Sequence, residues 1–358
     1  MPAHVDMKTP NCDKRQNQHS VPQFLLRNFA SNLPAKKGKE KIWAFDKRTG
    51  NTFNPNVKGV TSKSKYYEAS FGEFKMSLED GLCKLEDATA PVFQKVIRNR
   101  SLSGLNGDEW TWATMFVAAQ FLRTEGHREQ FIEISELIDE KLKSTDAIPS
   151  ELEGWSTIDK QNAKEVSLSF LVDHLGHFTK QFAEKIWMIH EAPPGESFYI
   201  GDNPVVMHNR EDHKPYGNLG LSVRGIQIYL PIDPQICLAM YHPSIIADAK
   251  LNLERARKDD EQLRFEDLIG LGRGQPGWAE TRIMAGRVIQ STTELIAAAE
   301  SGSPLAYSRD NVTFVNSLQI HNASRFVMSK RNNFELAAEM LRSTNHGEGR
   351  NRRWSIAT

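Results

Sequence analysis

The sequence predicts an α+β protein, with a mixed or antiparallel central sheet packed with long helices, an N-terminal hairpin and an irregular insertion. Apolar residues recur at helical spacing in several long segments. Short β-rich runs bounded by turn residues cluster between residues 185 and 242. The composition, with 39% hydrophobic and 25% charged residues over 358 positions, is that of a globular chain.

Domain organisation is predicted from the two ends and one charged stretch. We expect residues 1–16 to form a disordered lead, residues 17–342 a single integrated domain, and residues 343–358 a flexible basic tail. The charged, glycine-rich stretch at about 250–280 predicts the irregular insertion. The lead is polar and lacks an apolar core, so it does not resemble a signal peptide.

The N-terminal part of the domain contains three predicted elements. Pro22 suits the first turn of a helix, which predicts a short helix beginning after it. The segment KIWAFDKRTGNTFN, at 41–54, has alternating residues around a Thr-Gly-Asn turn and predicts the N-terminal hairpin. Residues 57–67 are expected to be extended.

Three long helices are expected next. The first begins at Ser77 and carries an apolar stripe at helical spacing. The second covers about 108–142, and its first half, WTWATMFVAAQFL, is apolar on every side, which is typical of a helix at the centre of a molecule. The third covers 166–183 and is amphipathic.

After residue 184 the apolar pattern becomes that of strands. KIWMIHEA, SFYIGDNP and VVMHN predict successive strands, and GIQIYLP and QICLAMYH predict a hairpin around the turn Ile232-Asp233-Pro234. Helices are expected again at 283–300, at 312–328 and in the closing segment FELAAEMLR.

Charge and cysteine content argue against several classes of protein. Lys+Arg and Asp+Glu both number 45, so the formal net charge is zero, which argues against a protein dominated by nucleic-acid electrostatics. The three cysteines are far apart and form no CxxC, so neither a zinc ribbon nor a disulfide framework is expected. No apolar run is long enough to span a bilayer, and we expect a cytoplasmic location.

The stretch NQHSVPQFLLRNF, at 17–29, places polar side chains on an apolar segment. His19 lies just before the expected helix, and Gln23 and Arg27 are four residues apart, so they share a helix face. A histidine in this position can be a general base, a metal ligand or a hydrogen-bonding group at the helix start. These residues therefore mark the first candidate site.

Gln120 and Arg123 stand where the apolar half of the central helix ends. A buried guanidinium needs a carboxylate partner, and Glu79, Glu86 and Asp202 are the candidates. The pair would either lock the central helix to the sheet or leave the arginine fork to bind a phosphate or carboxylate. The sequence leaves both readings open.

Gly201-Asp202-Asn203-Pro204 falls between two predicted strands. Asp and Asn before Pro favour a turn in which their side chains bond back to the backbone. The alternative is a carboxylate and an amide presented at a strand end, where sites commonly form.

Several of these segments together resemble one protein family. QHSVPQFLLRNF, LEDGLCKLED, VAAQFLRT and GDNPVV are similar to blocks of a bacterial family, the domain-of-unknown-function family 4238. The block N-x-LQ-x-x-x-A-x-R beginning at Asn316 extends the resemblance to about residue 329. This chain departs from the family at Gly201, where the family has Ser. The resemblance implies that Asn316, Asn322 and Arg325 line the same pocket as the other candidates, but it implies no particular reaction.

The first functional hypothesis is an uncharacterised hydrolase- or nuclease-like enzyme acting on a phosphate-containing substrate such as nucleic acid or a nucleotide. The catalytic candidates are His19, Asp202 and Arg123, with a divalent metal as candidate cofactor. The substrate-binding candidates are Gln23, Arg27, Gln120, Asn203 and Asn316. A role in bacterial defence is a further hypothesis, consistent with a bacterial family of unassigned function.

The second hypothesis is a non-catalytic binding module that recognises a small anionic ligand or a partner protein at the same pocket. A third is purely structural, in which the polar groups are fold-specific ion pairs and Arg123→Ala costs much stability. Neither membrane association nor a particular oligomeric state is predicted.

Overall fold

The computed structural model describes residues 17–32, 38–71, 74–144, 157–211, 219–269 and 278–345. The expected lead, the tail beyond residue 345 and part of the expected insertion, at 270–277, lie outside these residues. The described elements confirm the α+β class. The arrangement as a single domain stays a prediction.

The strands and helices follow each other in several blocks along the chain. The strands are β1 (Asn17–His19), β2 (Trp43–Asp46), β3 (Asn51–Phe53), β4 (Ser62–Ser64), β5 (Glu68–Phe71), β6 (Phe74–Ser77), β7 (Ile186–Glu191), β8 (Ile200–Gly201), β9 (Val206–His208), β10 (Gln227–Asp233), β11 (Ile236–Tyr241), β12 (Pro304–Ala306) and β13 (Phe326–Ser329). The helices are α1 (Gln23–Asn28), α2 (Val57–Val60), α3 (Glu79–Asn99), α4 (Gly107–Leu122), α5 (Glu125–Lys143), α6 (Lys160–Ala183), α7 (Pro243–Leu268), α8 (Trp278–Ser301), α9 (Arg309–Asn322) and α10 (Glu335–Asn345).

A five-stranded mixed sheet, in the order β12-β7-β11-β10-β9, lies at the centre. Strand β12 runs parallel to β7, and the other pairs are antiparallel, including the predicted β10–β11 hairpin. Alternate residues of paired strands enter different cores: Ile189 and Leu238 pack with α4, whereas Met188 and Ala239 pack with α7 and α9. Because both faces are covered, the middle parts of β7, β10 and β11 are mostly apolar and buried.

A second, four-stranded antiparallel sheet has the order β3-β2-β13-β8 and contains the predicted N-terminal hairpin β2–β3. The expectation of one helix over 312–328 is wrong at its end. Helix α9 stops at Asn322, Ala323 is extended, and residues 326–329 form β13 between β2 and β8. Pairing on both sides outweighs the helical pattern of this segment.

Two other helix and strand predictions need correction. The expected helix over 108–142 is divided into α4 and α5, because the Thr124 side chain accepts a hydrogen bond from His127 N and begins a new helix. Residues 57–67 are not uniformly extended, since α2 precedes the short strand β4.

The expected irregular insertion at 250–280 is also wrong over its described part. Residues up to 268 belong to α7, which lies along α8 and is joined to it by ion pairs at both ends. Lys250 Nζ is 2.6 Å from Glu300 Oε1, and Arg282 Nη1 is 2.8 Å from Asp267 Oδ2. The many charges therefore belong to a solvated helical pair rather than to an irregular loop.

The described helices and the buried cysteine relate to two expectations from the sequence. No helix in the described ranges is both long and apolar enough to cross a bilayer. Cys237 is a free thiol buried in β11.

We predict that stability falls as pH drops from about 6.5 towards 3, because His190 is fully buried and burial lowers its pKa to about 3. The unfolded chain, with an ordinary histidine pKa, binds more protons across this window, so unfolding becomes easier as pH falls. His190 should contribute a loss of about 3 kcal/mol by pH 4.

Denaturant unfolding at pH 7 and pH 4 measures this effect, with His190→Gln as the control that cannot titrate. The wild-type protein should lose more stability than the variant between the two pH values. Equal losses in the two proteins would contradict the prediction.

Candidate functional site

Strand β1 is held in place by side chains from three other segments. It pairs with β4, and three consecutive backbone carbonyls, at 19–21, each accept a side-chain hydrogen bond. The donors are Tyr67 Oη at 2.8 Å, Gln120 Nε2 at 2.9 Å and Thr61 Oγ1 at 3.1 Å. Because these donors are largely buried, they fix the backbone that carries His19.

The predicted helix after Pro22 is α1, and its polar face carries a ladder of side chains at four-residue steps. His19 Nε2 lies 2.9 Å from Gln23 Nε2, and Arg27 Nη2 donates to Gln23 Oε1 at 2.8 Å. Arg27 Nε also lies 3.7 Å from Glu40 Oε1. The Arg27 side chain is 31% exposed, so this ladder reaches the surface.

Arg123 forms a second, buried network at the end of α4. Its Nε and Nη2 donate to Gln120 Oε1 at 2.9 and 2.6 Å, and its Nη1 donates to Glu86 Oε1 at 2.7 Å. The Arg123 side chain is 1% exposed, and its guanidinium lies over the Phe116 ring. Burial opposes the charge, but Tyr67 and Glu86 together raise the pKa of Arg123 above its usual value.

The two networks meet at β1. Arg123 holds the oxygen of the Gln120 amide, and the nitrogen of the same amide donates to the Ser20 carbonyl beside His19. The structure thus brings His19, Gln23, Arg27, Gln120 and Arg123 into one region. With its guanidinium buried and bonded, Arg123 is placed to position β1 rather than to contact a ligand.

Asp202 lies against the connection between α9 and β13. Its carboxylate accepts hydrogen bonds from three successive backbone amides, those of residues 324–326, each at 2.8 Å. Burial raises the pKa of Asp202, and the three amides oppose that rise. Of the three carboxylates proposed as partners of Arg123, the structure selects Glu86.

Asn203 joins this connection to the start of α5. Its Oδ1 accepts from Gly126 N at 3.1 Å, and its Nδ2 donates to the Asn322 carbonyl at 2.8 Å and to Ser324 Oγ at 3.1 Å. A Cβ on Gly126 would lie 2.1 Å from Asn203 Nδ2, so any larger residue there would have to displace the Asn203 amide. Asn203 therefore holds the start of α5 beside the four-stranded sheet.

Asn316 serves the same part of the fold. Its Oδ1 accepts from Tyr199 N at 2.7 Å, and its Nδ2 donates to the Ser197 carbonyl at 3.0 Å. Gln319, one turn further along α9, accepts from Gly201 N at 2.8 Å. The side chains of Asn316 and Gln319 therefore bond to backbone groups just before and within β8, as a neighbouring strand would otherwise do.

Metal-ligand geometry does not appear in the part of the chain that the structure describes: no three His, Cys, Asp or Glu side chains there are grouped to hold an ion. The sequence interpretation missed Glu40, Thr61 and Tyr67, which belong to the network around β1. No local pattern marks them, because each acts through contacts that are distant in sequence.

Comparison with known proteins confirms the resemblance expected from the sequence. A family model described as "Protein of unknown function (DUF4238)" matches residues 17–333, most of the chain. No curated protein and no solved structure matches the chain.

Proposed function

The chain belongs to the DUF4238 family of proteins of unknown function, and we propose that the polar face of α1 binds a phosphate-containing ligand. The observation that carries this proposal is the Arg27 side chain. It is 31% exposed, and Gln23 is its only hydrogen-bond partner among the described residues. A guanidinium has five N–H donors in a fork that matches phosphate. Arg27 Nε is buried beside Glu40 and one Nη2 hydrogen is bonded to Gln23, so the donors left for a ligand are the remaining ones on the two terminal nitrogens.

Under this proposal the other polar residues have different tasks. Arg27 clamps the anion, and His19 and Gln23 lie beside it on the same face. Gln120 holds the backbone after β1 by donating to the Ser20 carbonyl, and Arg123 orients the Gln120 amide. The remaining predicted site residues, Asp202, Asn203 and Asn316, hold the α9–β13 side of the fold through backbone contacts.

The second candidate function is hydrolysis of a phosphodiester or nucleotide, which includes the nuclease and defence roles suggested above. The observation that favours it is an imidazole, His19, on the same face as the Arg27 fork. A histidine can accept the proton of an attacking water while an arginine stabilises the charge that develops on phosphate.

Isothermal titration of the full chain with inorganic phosphate and with a nucleoside monophosphate tests the binding proposal. We expect Arg27→Met to weaken binding at least about tenfold, since a charge-assisted, two-pronged contact is lost. Arg282→Met is a matched control, because Arg282 is 38% exposed and also has a carboxylate partner. Unchanged affinity in Arg27→Met, or absence of binding by the wild-type protein, would refute the proposal.

Metal analysis and turnover assays on the purified protein separate the two candidates. Hydrolysis requires turnover of a phosphodiester that His19→Ala abolishes while phosphate binding through Arg27 persists. A stoichiometric divalent ion would support the enzyme. Binding without turnover would support ligand recognition and contradict hydrolysis.

A further inference from the structure

The side chains of the α1 ladder constrain where the proton of His19 lies. An arginine side chain only donates hydrogen bonds, so Arg27 requires the oxygen of the Gln23 amide to face it, as observed at 2.8 Å. The nitrogen of that amide, which also only donates, then faces His19 Nε2 at 2.9 Å. His19 Nε2 must therefore be the acceptor.

We infer that Arg27, acting through Gln23, fixes neutral His19 as the tautomer protonated on Nδ1. Protonation of Nε2 would set two donors against each other across 2.9 Å. Gln23 is thus a positioning residue for the imidazole, and Arg27 sets its direction. The hydrogen-bond geometry alone gives the tautomer of His19. A role for that tautomer in catalysis rests on the proposed function.

The consequence concerns the chemistry available at this face. In the free protein the Nε2 lone pair of His19 is engaged by the Gln23 amide. For His19 to accept a proton at Nε2, a substrate or water must first displace that amide. Gln23 would then control when the imidazole can act as a base.

The test is a long-range proton–nitrogen NMR spectrum of the full chain labelled with ¹⁵N-histidine, recorded without ligand at a pH where histidines are neutral. Loss of one signal set in His19→Ala assigns the residue. We expect the Nδ1–H form of His19 to exceed the Nε2–H form by roughly tenfold or more.

Variants at two positions make the result specific. Arg27→Lys keeps a donor-only partner and should keep the Nδ1–H form, whereas Arg27→Met should lose the strong preference. Gln23→Glu replaces the donor by an acceptor and should move the proton to Nε2.

His177 provides an internal control for the same spectrum. It also has a glutamine four residues away, Gln181, at 3.4 Å. That amide is bonded to the Ser222 hydroxyl, which can donate or accept and so does not fix its direction. The His177 signals should not respond to changes at Arg27.

Two results would overturn the inference: a wild-type His19 protonated on Nε2, or the same tautomer ratio in Arg27→Met as in the wild type. The spectrum contains no ligand, so a failure of phosphate binding would leave this inference standing. Conversely, phosphate binding with the other tautomer would reject only the inference.

Discussion

Arg123→Ala is expected to lower the free energy of unfolding by about 3 kcal/mol. The Arg123 side chain is 1% exposed, and its removal takes away the donors to the Gln120 oxygen and the ion pair with Glu86. Glu86 is 24% exposed and regains some water, which keeps the loss below that of a fully buried pair. Denaturant unfolding at pH 7 measures the change.

Two further variants serve as comparisons for Arg123→Ala. Arg123→Lys should be intermediate, because a single ammonium cannot reproduce the fork that holds both Gln120 and Glu86. Arg264→Ala removes an arginine that is 69% exposed from an ion pair on one helix, and should change stability by less than about 0.5 kcal/mol. If Arg123→Ala cost no more than Arg264→Ala, the network around β1 would not be a structural clamp.

Asp202→Ala is expected to cost about 3 kcal/mol as well, for a different reason. The alanine leaves three backbone N–H groups, at 324–326, without their acceptor. These residues are partly exposed, so water recovers some of the lost hydrogen bonding. The same unfolding experiment applies, with phosphate affinity as a second measurement that should change little in the folded variant.

Asp202→Asn is the matched comparison. Burial raises the pKa of Asp202, whereas the three backbone amides that bond to its carboxylate oppose that rise. An asparagine keeps one acceptor oxygen, which can take the two bonds now made to Asp202 Oδ2, but its NH2 group would face the N–H of residue 324. The variant should therefore be more stable than Asp202→Ala and less stable than the wild type. A loss of phosphate binding in a well-folded Asp202→Asn protein would instead place Asp202 at the ligand.

Local patterns in the sequence were sufficient to predict much of the framework. The short helix after Pro22 and the hairpins at 41–54 and around 232–234 depend on neighbouring residues, namely a proline at the helix start and turn residues between strands. The apolar segment WTWATMFVAAQFL similarly predicts a central helix, and α4 is largely buried from Ala113 to its end. Such elements are encoded within a few residues of chain.

Elements that depend on distant partners were not predictable in this way. Residues 326–329 continue a helical pattern but form a strand because β2 and β8 pair with it on both sides. The charged segment at 250–268 looks irregular in sequence but is helical, and α8 packs along it.

For the site, the sequence by itself determined which polar residues interrupt apolar elements: His19, Gln23, Arg27, Gln120, Arg123 and Asp202. Only the tertiary structure decided which of them meet. It joins the first five around β1 and assigns Asp202 to the α9–β13 connection. The physical reason is that a buried polar group must find a hydrogen-bond partner, and that partner is chosen by packing between segments far apart in the chain.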